Sequence, residues 1–210
     1  MKKPLYIGLM SGTSLDAIDV ALCRFEDSDC AILDFKTHPL PEEIRTEINT
    51  VSNCRELKLE QLYALHIRLG LLFAEAALGI LNGKNFEASQ IAAVCSHGQT
   101  IRHIPNSDGV DFPFSIQIGD PHTISEKTGI TTIADFRGRD IAAGGQGAPL
   151  VPTFHRAVFA SKDLKRAIVN IGGIANVTIL DGQKLLAGFD TGPGNTLLDR
   201  WIQKSLGDSF

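Results

Sequence analysis

Several short polar segments interrupt the apolar stretches of this sequence, and each carries residue types that can do chemistry. Gly12-Thr13-Ser14 sits between two strand-like runs. A tight turn there aims backbone N–H groups and two hydroxyls at one point, an arrangement that can cradle phosphate oxygens. A plain hairpin is the alternative. No Gly-Lys-Ser/Thr follows and no helix begins there, so the segment is not a P-loop. Asp16 and Asp19 lie just downstream, where one carboxylate can reach a hydrated Mg²⁺, an ion that keeps several waters.

Three more segments follow the same logic. Ser96-His97-Gly98-Gln99-Thr100 comes after a buried-type strand, as a loop at a strand's carboxyl end, where parallel sheets place ligands. His103 is spaced from His97 neither as a helical pair nor as a zincin pair. Cys95 reads as a core thiol, which leaves a hydrolase built on Cys95, Ser96 and His97 as the weakest reading. Asp135-Phe136-Arg137-Gly138-Arg139-Asp140, followed by Gly144-Gly145-Gln146-Gly147, is the densest polar and glycine stretch. It suits an anionic or hydroxylated ligand, or else a surface ion-pair network. Phe189-Asp190-Thr191-Gly192-Pro193-Gly194-Asn195 is the sharpest segment. Asp190 ends a strand among glycines that let a substrate approach, so its carboxylate can take a proton from water or a hydroxyl. Capping of the next helix is the alternative.

The elements that must position these segments alternate in a definite order. Leu5–Met10, Ala17–Phe25 and Ala31–Lys36 read as strands joined by connections too short for crossovers, hence an antiparallel meander, with a turn at Asp27-Ser28-Asp29. Pro41-Glu42-Glu43 opens a helix, and Leu59–Leu81 is the longest helical segment, stopped by Asn82-Gly83. Ile91–Cys95, Phe114–Ile118 and Thr131–Asp135 read as strands, Pro121–Thr128 and Ala148–Phe159 as helices. A meander followed by alternating helices and strands is the order of a ribonuclease-H-like α/β domain with a mixed sheet. After Arg166 the opening plan returns. Ala167–Ile171, a Gly172-Gly173 turn, Ala175–Leu180 and Leu185–Asp190 are followed by a helix from Thr196 to about Leu206. The expected domains are therefore residues 1–160 and the start of a second, similar domain over 161–210.

The chain has 210 residues, 43% apolar and 21% charged, which is ordinary for a globular protein of one or two domains. Twenty basic against 24 acidic residues give a net charge of −4, without a basic stripe, which argues against a nucleic-acid partner. No apolar run approaches the ~18–20 residues that span a membrane, and no signal peptide opens the chain. Four cysteines form no C-x-x-C pair, in keeping with reduced thiols and a cytoplasmic location.

"GLMSGTSLDAIDVAL", "SHGQTIRH", "ADFRGRDIAAGGQGAPLVPTFH", "NIGGIANVT" and "FDTGPGNTLLDRW" together resemble anhydro-N-acetylmuramic acid kinase, a family of the sugar kinase/Hsp70/actin superfamily. The resemblance implies an actin-like ATPase fold. It also implies a coupled reaction, in which water opens the anhydro bridge of 1,6-anhydro-N-acetylmuramic acid and O6 takes the γ-phosphate of ATP, with Mg²⁺ as cofactor. By the family pattern Asp190 is the catalytic base. Gly12, Thr13, Ser14, Leu15, Asp16, Ala17, Ile18 and Asp19 match the segment that binds ATP phosphates, and His97 and Arg139 match loops that line the sugar. Two positions depart from the pattern: Ala17 replaces a usual glycine, and Gly138 stands where a third basic residue is common. The family chain is also longer. The expectation is a C-terminally truncated kinase that binds ATP weakly, or a non-catalytic sugar-binding or interaction module, with exposed strand edges that invite aggregation or homodimerisation.

Overall fold

A computed structural model describes residues 3–26, 29–82, 86–105 and 111–207. The expected turn residues Asp27 and Ser28, the helix-stop residue Gly83, and Phe210 lie outside the described residues. The chain packs as two compact units, Met1–Gly145 and Gln146–Phe210.

The first unit is built on a mixed sheet. Strands β1 (Leu5–Ser11), β2 (Ala17–Glu26) and β3 (Asp29–Pro39) form the antiparallel meander. Strand β4 (Ile91–Ile104) lies parallel to β1 on its other side. The far edge of β4 is shared. Short β6 (Thr132–Ile133) runs parallel to its first half, and β5 (Phe114–Ile118) runs antiparallel to its second. The sheet order is β3-β2-β1-β4-β5, with β6 joined to β4.

Alternation along β1 buries Leu5, Ile7 and Leu9 on one face, and Ile18, Val20 and Leu22 of β2 join them. Helices α1 (Glu42–Asn53) and α2 (Leu59–Leu81) cover that face. Helical spacing in α2 puts Leu65, Leu69, Phe73, Ala77 and Ile80 in the core, all fully buried. By length and composition α2 meets the requirement for a membrane span, contrary to the sequence expectation, yet it is the central core helix of this unit. Arg68 joins it to α1 through Glu47 at 2.6 Å and Glu43 at 3.0 Å. Lys36 of β3 donates to the Gly79 carbonyl at 2.8 Å, satisfying a carbonyl in the last turn of α2.

Two expectations change here. Ser96–Thr100 is not a loop: β5 pairs with Gln99–Ile104, so the sheet absorbs the backbone groups that a loop would have left to solvent. The polar residues sit instead at a bulge, where Gly98 adopts φ +73°. The strand expected over Thr131–Asp135 stops at Ile133, because Asp135 turns left-handed (φ 56°) and caps a new helix, α4 (Phe136–Ala142). Between β5 and β6 lies α3 (Pro121–Thr128), capped by Asp120, whose carboxylate accepts from the His122 and Thr123 N–H groups.

The second unit is a three-stranded antiparallel meander of β7 (Lys165–Ile171), β8 (Ile174–Asp181) and β9 (Lys184–Pro193), with α5 (Val151–Phe159) and α6 (Asn195–Leu206). Helix α5, grouped with the first domain by sequence, packs on this sheet. Its buried His155 bonds Thr178 of β8 at 2.8 Å. Pro152 presses so closely on Gly188 of β9 that a Cβ there would meet its ring at 2.3 Å. The amphipathic period of α5 marks an apolar face but not which sheet that face covers.

Candidate active site

The β1–β2 hairpin is anchored from below. Ser11 Oγ donates to Gln99 Oε1 at 2.6 Å, both residues buried, and Gln99 Nε2 donates to the Thr100 carbonyl at 3.0 Å. Above this polar pin, Thr13 and Ser14 are exposed at the tip. Leu15, not Gly12, takes the left-handed conformation (φ 58°) and returns its N–H to the Gly12 carbonyl at 3.3 Å. A side chain on Gly12 would meet only Ser14 Oγ, at 3.8 Å, so open space lies in front of the turn. Ser14 Oγ donates to Asp16 Oδ1 at 2.6 Å. Burial, and then the neighbouring charge of Asp16, raise the Asp19 carboxyl above its ordinary pKa.

His97 stands at the bulge of β4. Its Nδ1 lies 3.0 Å from the Gly98 carbonyl, which can only accept, so Nδ1 carries the proton. Its Nε2 accepts from Arg137 Nε at 2.9 Å. Burial lowers its pKa, the Gly98 carbonyl opposes this, and the Arg137 charge lowers it further. A neutral imidazole with both nitrogens engaged cannot serve as base for Ser96 or Cys95, which removes the hydrolase reading. Burial also raises the Cys95 thiol. Arg139, expected at the sugar, is exposed on α4, and the structure brings Arg137 to His97 instead. Two residues apart on a helix, the arginines leave α4 on different faces.

Asp19 and His97 line one cavity of about 240 Å³ with Phe35 and Phe136 on the outer face of the sheet. A second cavity, of about 290 Å³, runs past the other side of His97 between His66, Gly119 and Asp135. His66 Nδ1 accepts the Gly119 N–H at 3.1 Å, and burial keeps its pKa low despite Asp120.

In the second unit Asp190 lies within β9, opposite Asn176 of β8, and is exposed. The strand continues past it to Pro193 rather than ending at it. The following glycines close a clamp. Gly194 N donates to Gly173 O and Asn195 N to Gly172 O, each at 2.8 Å, and Thr196 Oγ donates to Gly173 O at 2.8 Å. A Cβ on Gly194 would lie 2.3 Å from the Gly172 carbonyl, so only glycine fits. Helix α6 has Gly194 at its N-cap and no side-chain cap, so Asp190 does not play the capping role. Sequence reasoning missed the Ser11–Gln99 pin. Its only signal was Gln99 itself, an uncharged amide able both to donate and to accept, within the polar stretch Ser96–Thr100.

A hairpin-led mixed sheet followed by a second strand–glycine turn–strand unit defines the ribonuclease-H-like, actin-like ATPase fold. In keeping with this, the chain is similar to a solved structure titled "PilM-PilN type IV pilus biogenesis complex", with a TM-score of 0.51 and 13% identity over 99% of this chain and 66% of that one. The profile of the family described as "Anhydro-N-acetylmuramic acid kinase" matches residues 4–210. Relatives of that name include one from Saccharophagus degradans, 48% identical over 100% of this chain and 57% of its own. Another, from Haemophilus influenzae, is 47% identical over 99% of this chain and 53% of its own. The chain belongs to the anhydro-N-acetylmuramic acid kinase family, and it spans little more than half the length of these relatives.

Proposed function

We propose that this chain carries the acceptor-sugar and phosphate side of a cytoplasmic, ATP-dependent kinase acting in peptidoglycan recycling. The observation that carries the reading is the family match over residues 4–210, which includes the hairpin, the His97 bulge and the Asp190 segment. Water, losing a proton to Asp190, adds to the anomeric carbon of 1,6-anhydro-N-acetylmuramic acid. The bond from that carbon to the bridging oxygen breaks, and the oxygen, now O6, takes the γ-phosphoryl group. The products are N-acetylmuramic acid 6-phosphate and ADP.

Gly12 to Asp19 supports the phosphate role through its open approach and exposed hydroxyls. Asp16 and Asp19 suit Mg²⁺. Their carboxylates are close enough for one charge to disturb the other, a repulsion that a cation relieves. Among the described residues no group of three or more metal-ligating side chains occurs, which fits an ion that keeps most of its water shell. When bound, Mg²⁺ supplies neutralisation of phosphate charge. His97, held neutral, fixes Arg137, and Arg139 extends the cationic surface of α4 toward an anionic substrate group.

A second reading is a sugar-binding module without turnover. What favours it is that the hairpin, His97 and both arginines belong to a unit with its own hydrophobic core, whereas Asp190 belongs to the other unit. The test incubates this chain with Mg-ATP and the anhydro sugar in ¹⁸O-water and analyses the products by mass spectrometry. A 6-phosphate carrying ¹⁸O at the anomeric position supports the kinase. Sugar binding without any such product supports the module.

A further inference from the structure

A further cavity, of about 820 Å³, opens at the end of the first sheet remote from the β1–β2 hairpin. Leu5 begins β1 there, with Arg24 of β2 opposite it and Ile91 of β4 on its other side. Partners across a ladder share a face, so these three side chains stand on the face that α1 and α2 cover. Leu5 and Ile91 are buried, and Leu33 and Phe86 pack against the same core. These four residues supply the apolar lining.

The polar lining is of one kind. Lys3 and Arg24 carry its charges, and both side chains are donors without acceptor capacity. Gln90 Oε1 accepts the Glu87 N–H at 2.8 Å, as part of the box that caps the 3₁₀ turn Ala88–Gln90, so the unused group of its amide is the Nε2 donor. Ser89 Oγ donates to Glu87 Oε2 at 3.3 Å. Among the described residues no acidic side chain lines the cavity. Two cations and an amide donor without a carboxylate favour an anion. The four apolar side chains beside them favour an anion with a hydrocarbon body over a bare inorganic one.

Position separates this cavity from the chemistry described above. It lies at the amino ends of β1 and β4, whereas ligands of α/β sheets gather at the carboxyl ends, where the hairpin and His97 stand. Six residue steps lead along β1 from Leu5 to Ser11, about 20 Å at ~3.3 Å per residue. The volume falls within the range of small-molecule sites, roughly 300–1,000 Å³.

We propose that this cavity binds an amphiphilic organic anion, its acid group held by Lys3, Arg24 and Gln90 Nε2 and its hydrocarbon body lodged against Leu5, Leu33, Phe86 and Ile91. The site takes neither the sugar nor the nucleotide, so the inference stands or falls apart from the kinase reading.

The probe is 2-naphthoate, with 2-naphthamide as its uncharged counterpart. Each is titrated into the ¹⁵N-labelled chain and followed by backbone amide shifts. Naphthoate should perturb Leu5, Leu33, Phe86 and Ile91 saturably and bind at least about tenfold tighter than naphthamide, the scale of one hydrogen bond to a charged group. Gln90→Glu keeps an oxygen to cap the turn and replaces the donor with a carboxylate. It should weaken naphthoate at least about tenfold by like-charge repulsion and leave naphthamide within about threefold. Lys3→Gln, at an exposed position, should weaken naphthoate about threefold or more and spare naphthamide in the same way. Equal affinity for acid and amide overturns the inference, and so does a naphthoate affinity that neither substitution lowers. Shifts centred on exposed Leu197, Leu198 and Trp201 of α6 would show adsorption to bare hydrocarbon, and the absence of any saturable shift would show no site. Either result overturns it.

Discussion

Arg137 donates its Nε–H to His97 Nε2 across 2.9 Å, tying helix α4 to the bulge of the central strand. The imidazole thus works as a neutral acceptor that aims a cation. His97→Gln can keep an acceptor near that point, whereas His97→Leu cannot. Calorimetry with the anhydro sugar should show His97→Leu weaker by at least about tenfold, the scale of a hydrogen bond to a charged group, and His97→Gln within about threefold. Equal losses in both would mean that ring shape matters and the hydrogen bond does not.

His66, His97 and His155 all have pKa values lowered by burial. Folding therefore favours their neutral forms, while in the unfolded chain they titrate near ~6.5. Below that pH the unfolded state binds more protons. Their contribution is complete above about pH 7 and is lost as the pH falls through 6.5 toward the lower folded values. The melting midpoint should drop between pH 7.5 and 5.5, and His155→Asn should flatten the decline. An unchanged midpoint across that range would contradict neutral burial.

Asp190→Asn preserves size but cannot take a proton. In an enzyme of full family length carrying this sequence, kcat should fall ~10²–10⁴-fold while KM for the sugar stays near its original value. Arg139→Ala should mainly raise KM, because a positioning cation contributes before the transition state. Retention of more than about a tenth of kcat by Asp190→Asn would move the base elsewhere, with Asp135 and Asp140 the next residues to replace.

Burial, helped by Cys30 and Cys95, pushes the Cys23 thiol up to about 11. Thiolate is the reactive form, and an ordinary cysteine titrates near ~8.5, so at pH 8 Cys23 should alkylate slower by roughly 100-fold than an unhindered thiol. Mass-spectrometric labelling with iodoacetamide measures this. Rapid modification of Cys23 in the folded chain would show the outer sheet face to be opening.

The alternation of Leu5, Ile7 and Leu9 and the helical spacing of Leu65, Leu69 and Phe73 made the meander and the long core helix legible, because a single buried face imposes a period on local sequence. The strand–glycine turn–strand return after Arg166 was legible from its apolar runs and glycine turns, since β7 and β9 bury no residue that would impose a period. Residues 96–104 were not, since their pairing partner, Phe114–Ile118, is supplied by tertiary structure and the polar side chains looked like a loop. Helix α4 was hidden by Gly138 and the charged residues around it. Its start depends on Asp135 entering the left-handed region and accepting from the Gly138 N–H at 3.1 Å. The glycine-rich segment after Asp190 was visible as a turn, but not as a clamp on Gly172 and Gly173, because those carbonyls are distant in sequence. At the site the residue types were readable and the partners were not. Arg137 and Arg139 look alike in a sequence, and only helix geometry turns one of them toward His97.

The bulge of β4 spends three steps, Ser96 to Gln99, where β1 spends two, Leu9 to Ser11. The extra residue is what a bulge holds, and it is the one length this strand can give up. Removing His97 or Gly98 would leave two steps on both strands, so Gln99 would stay opposite Ser11 and Thr100 to Ile104 would keep their sides. A deletion within the regular ladder of β1, at Ile7 or Gly8, has no spare residue to draw on and exchanges inside for outside along the rest of the strand. In a library of single-codon deletions, those at His97 or Gly98 should yield folded protein and those at Ile7 or Gly8 should not.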